Sequence, residues 1–268
     1  MLQQLYPLGQ NAECKLEGCY LKFNLHQQAA KGEVFIYANY ISSLDGRIAL
    51  FDEHMGEYAV PKAIANPRDW RLYQELAGQS DVMLTSARYF RQLAVGKAQD
   101  LLPVGSGEKF ADIELWRQAQ GLKAQPDVVI LSDSLDIPLP ALEGLNDRNV
   151  FVFTSKQLKR EKIEKLTDAG VTVLESDGPV TGQFIKSQLI QLGFKSAYMI
   201  AGPKVHHTLL VDDCLDELFL TSHFTILGGK NFHSVLDDEL KAKPMQLQML
   251  YLDNESQQMF MRFTYKDC

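Results

Sequence analysis

The sequence predicts an α/β protein on a mixed, mostly parallel sheet, with helices on both faces and an antiparallel hairpin near its C-terminal end. Three observations carry this. Short apolar, β-branched segments alternate with amphipathic stretches through the middle of the chain, as at 127–132, 149–155 and 196–202. A proline-led helix start stands at Asn66-Pro67. Late in the chain the pattern becomes two strands around Asp253-Asn254-Glu255. With 268 residues, 46% hydrophobic and 23% charged, the chain can bury a large core.

In order along the chain, residues 1–33 read as an N-terminal extension. A strand over 34–41, rich in aromatic and β-branched residues, runs to a turn signal at Asp45-Gly46. Asn66 caps a helix with Pro67 at its first position, and Trp70, Leu72, Tyr73 and Leu76 recur at helical spacing up to Gly78. A strand over 81–86 follows. The stretch at about 92–126, with one helix near 113–120, reads as an insertion on one edge. Next come strands at 127–132 and 149–155, a helix at 156–169, a strand at 171–176, a helix at 179–192 and a strand at 196–202. A strand at 215–224 and hairpin strands at 245–252 and 257–265 complete the pattern. No repeat, low-complexity tract or linker divides 34–268, so a single domain is expected there.

The net charge of −7 and pI near 5.4 provide no basic field, so nucleic acid is not an expected partner. Residues 1–7 lack a basic region followed by an apolar one, and no apolar run reaches bilayer length; a cytoplasmic protein with no membrane partner is expected. Cys14, Cys19, Cys214 and Cys268 match neither a CxxC pair nor a zinc pattern and read as free thiols. No metal site is expected: His206 and His207, near Asp213 and Cys214, are adjacent rather than at i, i+4. Gly105-Ser106-Gly107 reads as a loop rather than a nucleophile elbow, the run from Lys156 to Lys162 as a solvated helix face, and Asp216-Glu217 as charge at a strand end.

Ser42-Ser43-Leu44-Asp45-Gly46-Arg47-Ile48-Ala49 directly follows the first strand, where open α/β sheets place ligands. Alone it is a tight turn. Three further segments follow in order: the helix and strand over 66–86, containing Ser80-Asp81-Val82-Met83-Leu84; Ile200-Ala201-Gly202-Pro203; and Leu215-Asp216-Glu217-Leu218 leading to Ile226-Leu227-Gly228-Gly229. From about residue 34 to 229 the set resembles the RibD C-terminal domain family, the riboflavin-biosynthesis reductases of 5-amino-6-(5-phosphoribosylamino)uracil, which have a dihydrofolate-reductase-like fold. The resemblance implies an NADPH-dependent oxidoreductase of the pyrimidine-reductase type, hydride transfer to C1′ of the ribose moiety of a small pyrimidine-type substrate, and a homodimer.

The resemblance directs Asn39, Ser43 and Asp45 toward the substrate, with Asn39 and Asp45 as candidate catalytic residues and either Asp45 or water as proton donor. It puts Ile48 and Ala49 beside the nicotinamide, and Ser86 and Ala87 on a cofactor lip. Gly202, Pro203, Lys204 and Val205 would meet the pyrophosphate, where a helix N-terminus suits an anion. A cis Gly202-Pro203 bond is expected, because this fold joins two glycines in cis there and proline lowers the cost of cis. Thr154-Ser155-Lys156 offers hydroxyls and a cation for a 2′-phosphate, with Ser132-Asp133-Ser134 near the adenosine, whereas a carboxylate at that strand end would select NADH. Ser155 suits a helix cap equally well. The chain departs from the family pattern at Ala201, where the family has Glu, at Arg88 and Tyr89 in a glycine-bearing segment, and at Asn39, in place of Lys. Those departures leave two further readings: a reductase of another pterin, pyrimidine or folate-like substrate, and a nucleotide-binding protein of the same fold that has lost turnover. Hydride transfer itself asks a protein for positioning and exclusion of water, and needs no nucleophile.

Overall fold

A computed structural model describes residues 1–8, 13–98, 102, 104–105, 107–145, 147–156 and 160–265. The first part holds β1 (Leu2–Tyr6), β2 (Glu13–Cys14), β3 (Phe35–Ser43), β4 (Ala49–Asp52), β5 (Glu57–Ala59) and α1 (Pro67–Ala77). The middle alternates β6 (Val82–Ser86), α2 (Ala87–Ala94), α3 (Ala111–Ala119), β7 (Asp127–Leu131), β8 (Val150–Ser155), α4 (Glu161–Asp168), β9 (Thr172–Ser176), α5 (Gly182–Gln191) and β10 (Ser196–Met199). α6 (Pro203–Val211), β11 (Glu217–His223), β12 (Phe232–His233), β13 (Met245–Asp253) and β14 (Gln258–Tyr265) follow. Two compact units result, one of Met1–Asn24, Ile36–Leu76 and Gly202–Cys268, the other of Leu25–Phe35 and Ala77–Ala201.

In the first unit the strand order is β2-β1-β13-β14-β11-β3, with β11 parallel to β3 and the other pairs antiparallel. A separate small sheet has the order β12-β4-β5. Successive side chains of β3 face opposite ways, so Tyr37 and Tyr40 lie on different faces. Tyr37 Oη donates to the Leu76 carbonyl of α1 at 2.7 Å, whereas the Tyr40 ring lies 5.2 Å from that of His206 on α6. The sheet is therefore covered by helices on both faces. α1 starts as its sequence dictates: Asn66 Oδ1 accepts from the Arg68 and Asp69 amides at 3.1 and 3.0 Å, and Pro67 occupies the position whose N–H has no helical acceptor. Glu75, fully buried on α1, pairs with Arg71 and accepts from the amides of Gly18 and Tyr20 at 2.6 and 2.8 Å. That carboxylate binds the segment before β3 to α1.

In the second unit five strands run in the order β10-β6-β7-β8-β9, all parallel. The four residues 82–85 of β6, 127–130 of β7 and 196–199 of β10 are all buried, the continuous pattern of strands covered on both faces. Each fully buried Val, Ile or Met contributes roughly 1.5–3 kcal/mol. Arg117 of α3 is 1% exposed, and its guanidinium donates to the carbonyls of Lys123, Gly78 and Ser80 at 2.7–3.0 Å.

Two expectations are corrected. The Gly202-Pro203 bond is trans: Gly202 takes the extended conformation (φ −73°, ψ −176°) that sterics before proline favour, and Pro203 opens α6 without a cis bond. The helix expected over 156–169 spans Glu161–Asp168 with Arg160 at its cap, so Ser155 ends β8 and does not stand at the cap of α4. Of the residues named above, Gln157, Leu158, Lys159, Ser106 and Cys268 lie outside the described residues.

Candidate active site

β3 delivers its C-terminal residues into a loop closed by one carboxylate. Asp45 Oδ1 accepts from the Ser43 hydroxyl at 2.5 Å and from the Leu227 amide at 3.2 Å; Oδ2 accepts from the Gly228 amide at 2.8 Å and from Arg47 Nη1 at 2.7 Å. Leu44 N donates to the Thr225 carbonyl at 2.9 Å, and Arg47 Nη2 to that of Gly229 at 3.2 Å. Gly46 (φ 79°) and Gly228 (φ 66°) make the left-handed turns that this crossing requires. Two segments 182 residues apart in sequence, Ser43 to Arg47 and Leu227 to Gly229, are thereby joined in one structure. The Ser43 hydroxyl first, and then the Gly228 amide, hold the Asp45 carboxyl far below the usual carboxylate range. It stays ionised and bonded at neutral pH, so it orders the loop and does not suit the role of proton donor. Beyond it, Ile48 is buried, its amide bonded to the His233 carbonyl at 2.9 Å, and Ala49 begins β4 against β12.

Asn39 pairs in register with Phe219, and Ile41 with Thr221, two residues before the Ser43–His223 pair. Thr221 is 2% exposed and hydrogen-bonds to Asp69 in the first turn of α1, about 7 Å along the strands from the start of the loop. Burial pushes the Asp69 carboxyl up to about 6, and its enclosed Oδ1 has no hydrogen-bond partner among the described residues. A carboxyl that changes charge near neutral pH beside a strand end is a group suited to meeting a polar ligand. In the linear sequence nothing distinguishes Asp69, since an acid in a first helical turn reads as a complement to the helix dipole.

In the second unit the expected cofactor residues gather at the carboxyl ends of parallel strands. Ser86 ends β6 and opens α2, and Ala87 is buried at its first position. Arg88 and Tyr89 belong to this helix, which the sequence did not announce; Tyr89 is buried edge-on to Phe90 rather than standing at a lip. Ser132 Oγ accepts from the Leu135 amide at 3.0 Å. Thr154 is fully buried and donates to the Ser155 carbonyl at 3.2 Å, leaving the half-buried Ser155 at the end of β8 and the exposed Lys156 after it. Ser155 Oγ donates to Asp133, which follows β7, at 3.4 Å, so this strand end holds a carboxylate as well as the exposed Lys156 cation, and its charge alone selects neither NADPH nor NADH. The amino ends of the same strands hold a cleft of about 550 Å³, but there Asp81 and Asp127 are engaged by the amides of Lys195, Ser196 and Asn149.

A dinucleotide fits what α6 offers in the first unit. Gly202 is exposed, its φ of −73° requires no glycine, and nothing lies within 4 Å of where a Cβ would stand. The backbone is thus open to a close-lying pyrophosphate, with Lys204 exposed beside it. Among the described residues no group of His, Cys, Asp and Glu could hold a metal ion, and no helix is long and apolar enough to cross a membrane. His206 and His207 diverge, the former buried against the Val235 carbonyl at 2.8 Å and the latter turned to that of Glu239 at 3.0 Å.

The profile of the RibD C-terminal domain matches residues 34–259. The chain belongs to the RibD C-terminal domain family. Comparison with curated proteins finds no match. Among solved structures, a pyrimidine reductase-like protein from Corynebacterium diphtheriae superposes with a TM-score of 0.68 at 20% identity, covering 93% of this chain and 99% of that one. RibD from Acinetobacter baumannii gives 0.62 at 20%, covering 88% of this chain and 58% of that one, so this RibD C-terminal domain chain spans little more than half of that protein. The riboflavin biosynthesis reductase Rib7 from Saccharomyces cerevisiae gives 0.56 at 14%, with 93% and 99% covered. These likenesses establish the α/β fold with its mixed, mostly parallel sheet. Within that RibD C-terminal fold, the Asp45 loop is the feature in which separated motifs of the sequence meet.

Proposed function

We propose that this RibD C-terminal domain chain is an NADPH-dependent reductase of a small pyrimidine-type substrate such as 5-amino-6-(5-phosphoribosylamino)uracil, reducing C1′ of its ribose moiety. The observation that carries the proposal is the Asp45 loop, in which Ser43, Arg47 and the amides of Leu227 and Gly228 converge on one carboxylate at the end of β3. Bound NADPH would supply the hydride. The chain's part is to bind and orient: in the first unit, Gly202, Lys204 and Val205 for a pyrophosphate and Ile48 and Ala49 as an apolar wall for a nicotinamide; in the second unit, Ser86 and Ala87 for the cofactor and Ser155 and Lys156 for a 2′-phosphate. Asn39 and Ser43 face the substrate. Because Asp45 is ionised, the proton comes from water or from Asp69, whose carboxyl is protonated below about 6. A cytoplasmic homodimer completes the proposal.

A reductase of a different pyrimidine or pterin-like substrate is the second reading. Ala201, 6% exposed, brings no carboxylate to the position where the family carries Glu. Titration with NADPH and NADH, followed by NADPH oxidation with the ribosylaminouracil phosphate, decides among these. Tight NADPH binding with turnover supports the first reading, binding without turnover the second, and no binding removes both.

Two expected results follow from the geometry. Lys156→Glu weakens NADPH binding roughly tenfold relative to NADH, since one charge-assisted contact to the 2′-phosphate is lost, while Asp133→Ser moves the ratio the other way; equal changes for the two nucleotides would place the phosphate elsewhere. In the pH profile of kcat/KM, a limb near pH 6 belongs to Asp69 and disappears in Asp69→Asn. Persistence of the limb in that variant assigns it to another group.

A further inference from the structure

In the first unit, outside every residue discussed so far as a ligand contact, two thiols face each other. Cys14 lies on the two-residue strand β2, paired with Leu2 of β1, and Cys19 follows the left-handed turn at Gly18 (φ 79°). Their sulfur atoms are 3.5 Å apart. The backbone on both sides of Cys19 is fixed, because the amides of Gly18 and Tyr20 both donate to the buried Glu75. Cys14 is half-buried, whereas Cys19 is 3% exposed. One sulfur is thus reachable from solvent and the other is held behind it.

We propose that Cys14 and Cys19 form a redox-active dithiol that accepts a low-molecular-weight disulfide as its oxidant and closes to an intramolecular disulfide. The Cys14 thiolate attacks one sulfur of the oxidant, forming a mixed disulfide and expelling the other half as a thiolate. Cys19 then loses its proton and attacks Cys14 Sγ, forming the Cys14–Cys19 bond and expelling the second half. Two protein thiols are oxidised, one small disulfide is reduced to two thiols, and the two protons released by the protein end on them. The sulfurs need only approach by about 1.5 Å to reach bonding distance.

The surroundings suit both steps. The Cys19 hydrogen bond, with Lys22 and Tyr251 beside it, brings the Cys14 thiol down to about 7, so a large share is thiolate at neutral pH. Lys22 is held in place by its 2.6 Å bond to Tyr251 Oη. Cys19 is pushed up, first by its bond to the Cys14 sulfur and then by burial. That first cause vanishes once Cys14 is masked as a mixed disulfide, which frees the Cys19 proton at the stage where attack requires it.

The test uses oxidised glutathione on the full-length protein, with intact mass and peptide mapping as the readout. The wild type is expected to lose two hydrogens in mass and to yield a linked Cys14–Cys19 peptide without retaining glutathione. Cys19→Ser, or Cys19→Ala if the serine variant does not fold, should accumulate one glutathione on Cys14, while Cys14→Ser should take up none at Cys19. A wild type whose Cys14 and Cys19 stay free, a linkage that recruits Cys214 or Cys268 instead, or glutathione appearing on Cys19 ahead of Cys14 would each overturn the proposal.

Discussion

Arg117→Ala lowers the urea midpoint of unfolding by an amount equivalent to about 3 kcal/mol or more. The guanidinium binds the carbonyls of Lys123, Gly78 and Ser80 inside the second unit at 1% exposure, so truncation leaves several buried acceptors unpaired as well as a cavity. Each unsatisfied buried group costs about 1–3 kcal/mol. Arg117→Lys recovers little, because an ammonium cannot reproduce the planar fork that spans two groups of carbonyls. A shift below about 0.5 kcal/mol, the range of ordinary surface changes, would show that water replaces these contacts without loss.

Asp45→Ala reduces kcat/KM for the proposed reduction about a hundredfold while leaving the circular dichroism spectrum unchanged. The carboxylate touches four donors from Ser43, Arg47, Leu227 and Gly228, and its loss frees the loop, where a displacement near 1 Å is enough for an effect of that size. The pH dependence has a definite sign. Asp45 binds its proton less tightly when folded than when unfolded, so its contribution is present above the ordinary carboxylate range and is lost as the pH falls through and below it. Wild type and Asp45→Asn should therefore differ in thermal stability at neutral pH and converge in acid. A constant difference down to acid would mean that the charge does not hold the loop.

The parallel core was legible in the sequence because strands buried on both faces leave continuous apolar runs, as at β6, β7 and β8, and because Asn66-Pro67 spells a helix start at two adjacent positions. The turn at Asp45-Gly46 was legible for the same local reason. What the turn is attached to was not, since the amides of Leu227 and Gly228 carry no side-chain signature. α2 was hidden because Arg88 and Arg91 make its sequence look polar, while Tyr89 and Phe90 supply its buried side. Gly202-Pro203 invited a cis assignment by analogy with paired glycines, yet a proline that starts a helix is satisfied in trans. Asp69 gained its elevated proton affinity from burial, which outweighs the opposing hydrogen bond from Thr221, 152 residues away in sequence, and a linear reading displays neither.

The pairing of β1 with β13 also bears on how this protein behaves in concentrated solution. Leu2 to Tyr6 occupy the hydrogen-bonding edge that the long β13 would otherwise present to its neighbours, and beyond β1, among the described residues, only the two of β2 continue the sheet. A nine-residue strand bearing Leu247, Met249 and Tyr251 is the kind of template on which chains of other molecules stack. Those few residues at the head of the chain thus serve as a stopper against runaway self-association, and variants shortened there would be prone to precipitate even with every ligand contact intact.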